Sequence, residues 1–130
     1  MNVLIDTHVM LALLRRDLAA RHPAIARRLA DPSTIGFVSV ASLWECAIKT
    51  RLGKLDPGMA LADIAGYLEA IGLTILVVKA AHVSIAAEPE PETRDPFDRL
   101  LLAQCQAENL LFATADRALI NHRLSIPPAP

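Results

Sequence analysis

Short apolar runs of strand length alternate with helix-length segments along the chain, and this alternation restricts the fold more than any other feature. The strand-like runs are residues 3–5, the segment "IGFVS", residues 73–78 and the segment "LLFAT". Segments with helical spacing of apolar residues lie between them. Because strands that alternate with helices favour a parallel sheet, we expect an α/β layer architecture in a single domain, residues 1–130.

Capping and turn residues predict where several of these elements begin and end. Thr7 is expected to be the N-cap of the first helix. Ser39 or Ser42 can cap the helix after "IGFVS", and Gly53 supplies the stop at its end. Residues 73–78 are expected to form the clearest buried strand, since a continuous apolar run suits a parallel sheet that is covered on both faces.

The remaining segments also show recognisable patterns. Helices are expected over residues 23–30, 59–72 and 97–108, with shorter helices in "AAHVSIAA" and "ADRALINH". The segment 88–96 is expected to be a surface loop, because its three prolines exclude a helix or a central strand. Residues 124–126 can add a last edge strand.

The composition indicates a globular chain with more apolar residues than soluble domains usually have. Apolar residues make up 53% of the chain and charged residues 21%, which leaves apolar surface for a partner. The sequence has no run of 18 uncharged apolar residues and no basic region ahead of an apolar block at its start. We therefore expect no membrane span, no signal peptide and a cytoplasmic location. Cys46 and Cys105 lack metal-binding or redox spacing and are expected to be buried free thiols.

The charge distribution leaves two interpretations of the basic residues open. A formal net charge of −1 argues against binding nucleic acid through a general positive field. Five of the ten arginines nevertheless lie between Arg15 and Arg28. They form either a basic patch that contacts phosphates or a solvated arginine face on two helices.

Four acidic residues lie near the predicted carboxyl ends of strands or the starts of the following helices. Asp6 ends the first strand, and Asp116 lies two residues after "LLFAT". Glu45 lies one turn into the helix after the second strand, and Asp98 lies in the first turn of a later helix. Because ligand sites of open α/β sheets lie outside the carboxyl ends of the strands, we expect these four carboxylates to converge.

Converging carboxylates need a neutralising partner. At separations of about 6 Å each pair repels by roughly 2–3 kcal/mol at an effective dielectric near 20. Either some acids protonate or a divalent cation binds, and oxygen ligands favour Mg²⁺ or Mn²⁺ over zinc. Structural explanations remain open for each acid taken singly: Glu45 can pair with Lys49, and Asp6 and Asp116 can be turn or helix-start residues.

The segment "RDPFDRLLLAQ" adds three further polar candidates. Asp95 can cap the helix, pair with Arg94 or Arg99, or touch a metal ion. Arg94 and Arg99 are candidate phosphate contacts, with structural ion pairs as the alternative.

Four segments around these acids occur in an order and at a spacing that resemble a known family. They are "LIDTH", "SLWECAIK", "RDPFDRLLLAQ" and "ATADRAL", and the likeness runs from about residue 3 to beyond residue 116. The chain resembles the PIN-domain family, in particular the VapC-like endoribonuclease toxins of type II toxin-antitoxin systems. The resemblance implies a PIN-like three-layer fold whose central, mainly parallel sheet of four to five strands is flanked by helices.

The resemblance also implies an activity and a site. Relatives of this kind are metal-dependent endoribonucleases that hydrolyse RNA phosphodiester bonds with metal-activated water, and Mg²⁺ is the expected cofactor with Mn²⁺ as a substitute. Asp6 and Asp98 are the expected direct ligands, with Glu45 and Asp116 binding a second metal or ordering its waters. Thr114 resembles the family's hydroxyl residue beside the last acid, and Thr7 is a further candidate near the site.

The implied partners are an RNA substrate, a cognate antitoxin and a second copy of the chain in a homodimer, with a higher-order complex with the antitoxin as a further expectation. No membrane partner is expected. An alternative is a catalytically silent PIN-like module that binds RNA or protein. An acidic pocket of the receiver-domain kind is disfavoured, because Asp6 is followed by Thr7 rather than by a second acid, and no lysine follows the last strand.

Overall fold

A parallel four-stranded sheet forms the centre of the protein. The computed structural model describes residues 1–127. The strands are β1 (Asn2–Ile5), β2 (Ile35–Ser39), β3 (Thr74–Leu76) and β4 (Leu111–Ala113), and they are hydrogen-bonded in the order β3-β2-β1-β4. All three pairings are parallel. The expected α/β architecture with a parallel sheet is therefore confirmed.

Seven helices connect and cover these strands within the described residues. They are α1 (Thr7–Leu14), α2 (Leu18–Arg21), α3 (Pro23–Ala30), α4 (Val40–Arg51), α5 (Leu61–Ala70), α6 (Ala80–Ser84) and α7 (Pro96–Glu108). The predictions over residues 23–30, 59–72 and 97–108 are confirmed with small shifts at their ends, whereas α2 was not predicted. No helix among residues 1–127 is long and apolar enough to cross a membrane.

Successive strand residues point to opposite faces of the sheet, and a separate core lies on each face. Val3 and Ile5 of β1 and Val38 of β2 belong to the first core, which α1 and α5 cover. Leu4 of β1 and Phe112 of β4 belong to the second core, which α7 covers. The sheet is therefore the middle layer of three, as expected. Cys46 and Cys105 are buried and free, which also confirms the prediction.

Asp6, not Thr7, is the N-cap of α1. The Asp6 backbone is extended, and its Oδ1 accepts a hydrogen bond from the Val9 N–H at 2.7 Å. The prediction for Thr7 was wrong because α1 follows β1 after a single residue, so Thr7 already lies in the first helical turn. Its hydroxyl is directed towards α4 instead.

Ser39 is the residue that caps α4. It ends β2, and its Oγ accepts a hydrogen bond from the Ala41 N–H at 3.0 Å. Gly53 follows the helix with a φ of +70°, a left-handed conformation that glycine adopts without steric cost. The predicted stop at Gly53 is therefore confirmed.

The run over residues 73–78 was predicted to be the clearest buried strand, and this prediction was wrong in both length and burial. Only Thr74–Leu76 pair with a neighbour, and the strand lies at the edge of the sheet. Val77 and Val78 are 54% and 37% exposed. An edge strand has a neighbour on one side only, so a continuous apolar run here leaves an exposed apolar strip rather than a core.

The segment after β4 forms turns rather than the short helix predicted for "ADRALINH". The chain turns back to the strand: the Phe112 N–H donates to the Leu124 carbonyl at 2.7 Å, and the Ile126 N–H donates to the Phe112 carbonyl at 2.9 Å. Ser125 and Phe112 form a single parallel bridge. The expected edge strand over residues 124–126 is thus one bridge, and the return to β4 prevents a continuing helix.

A buried histidine connects α6 to α7. Nδ1 of His82 accepts a hydrogen bond from the Lys79 N–H at 3.0 Å, so the proton lies on Nε2, which donates to Oε1 of Glu108 at 2.8 Å. The hydrogen bond from His82, followed by the charge of Lys79, lowers the pKa of Glu108 below its usual 4.5.

This contact gives a testable pH dependence. A carboxylate whose pKa is lower in the folded than in the unfolded protein stabilises the fold above pH 4.5, and this contribution disappears as the pH falls through the folded value. We therefore expect Glu108→Gln to lose stability relative to the wild type at about pH 7 and to approach it at about pH 3. Urea denaturation across this range measures the difference, with exposed Glu69→Gln on α5 as the control. A constant difference between variant and wild type at every pH would contradict the assignment.

Candidate functional site

The carboxyl ends of β1 and β4 bring two of the predicted acids to one edge of the sheet. Asp6 follows β1 directly, and its backbone N–H donates to the carbonyl of Ala113, the last residue of β4, at 3.0 Å. Asp116 lies three residues beyond Ala113, and its charge raises the pKa of Asp6. The two carboxylates therefore lie near each other, as the position of parallel strand ends predicts.

Asp6 and the neighbouring Thr114 are both buried at this edge. Burial raises the pKa of Asp6 above 3.8, while hydrogen bonds from the Thr114 hydroxyl and the Val9 N–H act in the opposite direction. The Thr114 Oγ1 also accepts a hydrogen bond from the Asp116 N–H at 3.0 Å. Thr114 thus has hydrogen bonds with both Asp6 and Asp116, the second of which is the acid that it was expected to accompany.

Asp98 lies in the first turn of α7, and the other acids of the site perturb its pKa. Its pKa is raised from 3.8 to about 7, first by burial and then by the charges of Asp95, Asp116, Asp6 and Glu45, in decreasing order. These charges come from the start of α7, the segment after β4, the end of β1 and α4. The four predicted acids therefore lie within electrostatic range of one another.

Glu45 is buried in α4, and both of its oxygens have hydrogen-bond partners. The Thr7 hydroxyl donates to Oε1 at 2.6 Å, and Lys49 donates to Oε2 at 2.6 Å. The pairing with Lys49 that was left as a structural alternative is therefore formed. The hydrogen bond to Glu45 raises the pKa of Lys49, and the charges of Asp95 and Asp98 raise it further. Lys49 is thus a counter-charge for Glu45, Asp95 and Asp98, a role that the sequence does not predict.

Asp95 caps α7. Its Oδ1 accepts hydrogen bonds from the N–H groups of Phe97 at 2.8 Å and Asp98 at 3.4 Å. The capping alternative for Asp95 is therefore confirmed.

The two arginines near Asp95 have different environments. Arg99 does not pair with Asp95; its guanidinium binds the carboxylate of Glu90 at 2.8 Å and the carbonyls of Pro91 and Thr93. Arg99 therefore holds the proline-rich loop in place. Arg94 is exposed and makes no hydrogen bond or ion pair with residues 1–127, so its side chain is available for a phosphate.

The donor chemistry at this edge fits a hard divalent cation. The Asp98 carboxylate accepts no hydrogen bond from residues 1–127, and one Asp116 oxygen is also free, since the other accepts the Ala118 N–H. Over the same residues, no three His, Cys, Asp or Glu side chains lie close enough to form a complete metal-ligand group. Mg²⁺ is commonly held by one or two carboxylates together with water and substrate phosphate oxygens. The residues therefore fit a loosely held Mg²⁺ better than a closed cage of protein ligands.

Two aromatic rings lie beside the acids and were not predicted as part of the site. Trp44 precedes Glu45 and Phe97 precedes Asp98 in the sequence. Their ring centroids are 5.8 Å apart with an edge-to-face angle of 69°. The available signal was an aromatic residue directly before each of two candidate acids, but sequence alone does not show that the two rings meet.

Two neighbouring clefts lie along the arginine-rich segment. The first, of about 290 Å³, is lined by Asp116, Asp17, His8, Arg15, Arg21 and His22, among others. The second, of about 320 Å³, shares Arg21 and His22 with the first and includes Arg28. Three of the five arginines between residues 15 and 28 thus line these clefts, the first of which also includes a site acid. Neither His8 nor His22 was predicted to belong to it.

Comparison with known proteins agrees with this arrangement. No curated protein sequence matches the chain closely enough to count as a relative. The PIN domain model matches residues 3–123, a span that contains all four acids, the sheet apart from Asn2, and the seven helices described above for residues 1–127. Because the match covers nearly the entire chain, the protein belongs to the PIN domain family.

Proposed function

We propose that this protein is the toxin of a type II toxin-antitoxin module and acts in the cytoplasm as a Mg²⁺- or Mn²⁺-dependent endoribonuclease. PIN domains are in general metal-dependent nucleases. The observation that carries the proposal for this chain is the electrostatic convergence of Asp6, Glu45 and Asp116 on Asp98. Such mutual repulsion destabilises the fold unless a cation relieves it, which is typical of a functional site.

Each acid has a distinct role in the proposed mechanism. Asp6 and Asp98 would hold Mg²⁺, and Glu45 and Asp116 would bind a second ion or orient its waters. A bound Mg²⁺ would supply Lewis acidity and a water of lowered pKa for hydrolysis of the phosphodiester. The Thr7 hydroxyl fixes the orientation of the Glu45 carboxylate through its 2.6 Å hydrogen bond.

Lys49 balances part of the negative charge of the site, in addition to the proposed cation. Its ammonium group lies 2.6 Å from Glu45 and is also attracted by the charges of Asp95 and Asp98. It offsets part of the repulsion among the carboxylates when no cation is bound. Lys49 is therefore expected to help the site fold before it is loaded with metal.

The clefts beside Asp116 favour RNA as the ligand. Arg15, Arg21 and Arg28 line them, and guanidinium groups bind phosphate oxygens with paired hydrogen bonds. A strand whose scissile phosphate lies at the acids can extend along these arginines. Arg21 also pairs with Asp17 at 2.7 Å, and Arg15 donates to the Asp56 carbonyl at 3.0 Å. A phosphate would therefore bind the remaining guanidinium N–H groups and add affinity that the net charge of −1 lacks.

The role of these arginines can be tested through the salt dependence of binding. We expect Arg15→Gln combined with Arg21→Gln to reduce the slope of log affinity against log salt by about 1.4, because each single-strand phosphate contact contributes about 0.7. Binding of a labelled RNA oligonucleotide at several salt concentrations measures the slope. Arg27→Gln is the matched control, since Arg27 is exposed on α3 but lines neither cleft. An unchanged slope in the double variant would show that Arg15 and Arg21 do not contact phosphates and belong to a solvated arginine face.

Exposed apolar residues favour a protein partner as well. Val77 and Val78, which follow the edge strand β3 directly, are 54% and 37% exposed, and Val83 on α6 is 66% exposed. An exposed apolar strip of this kind is typical of an interaction surface. We assign it to homodimer formation or to the antitoxin, alone or in a higher-order complex.

The function is tested by cleavage of end-labelled transfer RNA and messenger RNA with antitoxin-free protein. We expect discrete products with Mg²⁺ or Mn²⁺, loss of these products with EDTA, and loss in the Asp98→Asn variant. Asp63→Asn, an exposed acid on α5, is the control that keeps activity. Cuts that persist in Asp98→Asn would indicate a contaminating nuclease or a misplaced site. Binding of RNA without cleavage under any condition would favour the silent binding module.

A further inference from the structure

The Trp44–Phe97 pair is an exposed aromatic surface that the proposed cleavage mechanism does not use. Trp44 is 62% exposed and is the only tryptophan of the chain. It lies on α4, whose buried residues Ala41, Ser42, Glu45 and Cys46 face the interior. An indole ring that remains in solvent loses the stabilisation that burial of such a large apolar side chain provides.

The Trp44–Phe97 pair lies at the start of α7, the helix that carries Asp98. Phe97 and Asp98 both lie in the first turn of α7, where Asp95 caps the helix by accepting the Phe97 N–H at 2.8 Å. The contact between Trp44 and Phe97 brings the indole of α4 to this same end of α7. The pair therefore lies at the helix end that carries Asp98, one of the residues proposed to hold the scissile phosphate.

The ring geometry leaves room for a flat ligand. In an edge-to-face pair, the edge of one ring contacts one face of the other, so the two rings do not cover each other by stacking face to face. The high exposure of Trp44 shows that solvent reaches its indole. Proteins that bind single-stranded RNA use such exposed rings to stack bases, because every base has a flat π face.

We propose that Trp44, supported by Phe97, stacks on a base of the RNA next to the scissile phosphate. This inference rests on the proposed function, and it specifies the substrate class as unpaired RNA, in a single strand or a loop. A base in a duplex is stacked on its neighbours and cannot reach the indole without being unpaired. A nucleotide whose phosphate lies at the acids has its base within reach of this end of α7, which favours a base over a protein side chain as the occupant.

The test combines variants of Trp44 with an altered substrate. With single-stranded RNA, Trp44→Leu is expected to raise KM by about 5- to 150-fold with a smaller change in kcat, and Trp44→Phe is expected to restore part of the loss. An RNA with an abasic nucleotide beside the cleaved bond is expected to show a similar loss with the wild type. It should show little further loss with Trp44→Leu, because the base and the indole form one interaction.

Matched controls separate stacking from a structural role. Leu52→Ala removes an equally exposed apolar side chain, 63% exposed, just after α4 and is expected to leave KM unchanged. Because Trp44 is the only tryptophan, its fluorescence is expected to be quenched by single-stranded RNA and to be affected much less by the same sequence in a duplex.

Each result supports or overturns the proposal. Unchanged KM and fluorescence in reactions where the wild type cleaves RNA would overturn stacking and leave the nuclease function intact. Equal losses for the abasic and the intact RNA on mutation of Trp44 would also overturn it. A fluorescence change that follows protein concentration without RNA would assign the pair to a protein contact instead. A wild-type protein that neither binds nor cleaves RNA would overturn both the stacking role and the proposed function.

Discussion

Replacing Asp98 with asparagine is expected to stabilise the metal-free protein and to abolish its cleavage of RNA. Burial and neighbouring carboxylates raise the pKa of Asp98 to about 7, so ionisation of this group at neutral pH opposes folding. The full shift from 3.8 corresponds to about 4 kcal/mol, and solvent screening at this half-exposed group reduces the effect to about 1–2 kcal/mol. Because Asp98 is a proposed metal ligand, its loss is expected to lower the cleavage rate by about 100-fold or more.

The stabilisation has a predictable dependence on pH. Between pH 3.8 and about 7, Asp98 holds a proton in the folded protein that it has lost in the unfolded chain. The contribution of this group to stability therefore falls as the pH rises through that range. The gain from Asp98→Asn is expected to be small near about pH 4 and complete above about pH 8. Urea denaturation in EDTA at a series of pH values measures it.

Metal addition provides the complementary measurement. At about pH 8, Mg²⁺ is expected to raise the free energy of unfolding of the wild type and to have much less effect on Asp98→Asn, because ligands that bind only the folded state stabilise it. Asp63→Asn on α5 is the control and should respond to Mg²⁺ like the wild type. A variant that is less stable than the wild type at every pH would show that the Asp98 carboxylate stabilises the metal-free fold.

The Phe112→Ala variant is expected to lose about 3–5 kcal/mol of stability. Phe112 is completely buried and is among the largest side chains of the second core. Its backbone also pairs β4 with the returning segment at residues 124–126. Since single domains unfold with about 5–15 kcal/mol, this variant is expected to be only marginally folded.

Urea denaturation, followed by circular dichroism, measures the change in the midpoint. Phe112→Leu, which keeps most of the volume, is the control and is expected to lose about 1–2 kcal/mol. A loss below about 1 kcal/mol in Phe112→Ala would show that the second core collapses around the missing ring.

The sequence predicted which segments are strands far better than where they lie in the sheet. Short apolar runs bounded by turn residues mark β1, β2 and β4 because this signal is local. The order of strands depends on pairing between distant segments, so the same apolar signal at residues 73–78 did not reveal an edge position. The turns after β4 were missed for a related reason, since the bridge between Ser125 and Phe112 depends on long-range pairing.

The candidate acids were found from sequence because the carboxyl ends of parallel strands share one edge. Their other contacts could not be found this way. The cap formed by Asp6 depends on the one-residue link between β1 and α1, and the wider role of Lys49 depends on how α4 packs against α7. The Trp44–Phe97 pair depends on the same packing of two helices that are far apart in sequence.

The central position of β1 also bears on when activity can arise during protein synthesis. β1 lies between β2 and β4, so it can pair with β2 early, but the edge that carries Asp6 is completed only when β4 and Asp116 are added. Domains generally fold as units as the chain emerges from the ribosome. A nascent or prematurely terminated chain that stops before Asp116 lacks one acid and the neighbouring strand. An enzyme of this proposed activity therefore cannot complete its acidic site until the chain has been synthesised as far as Asp116.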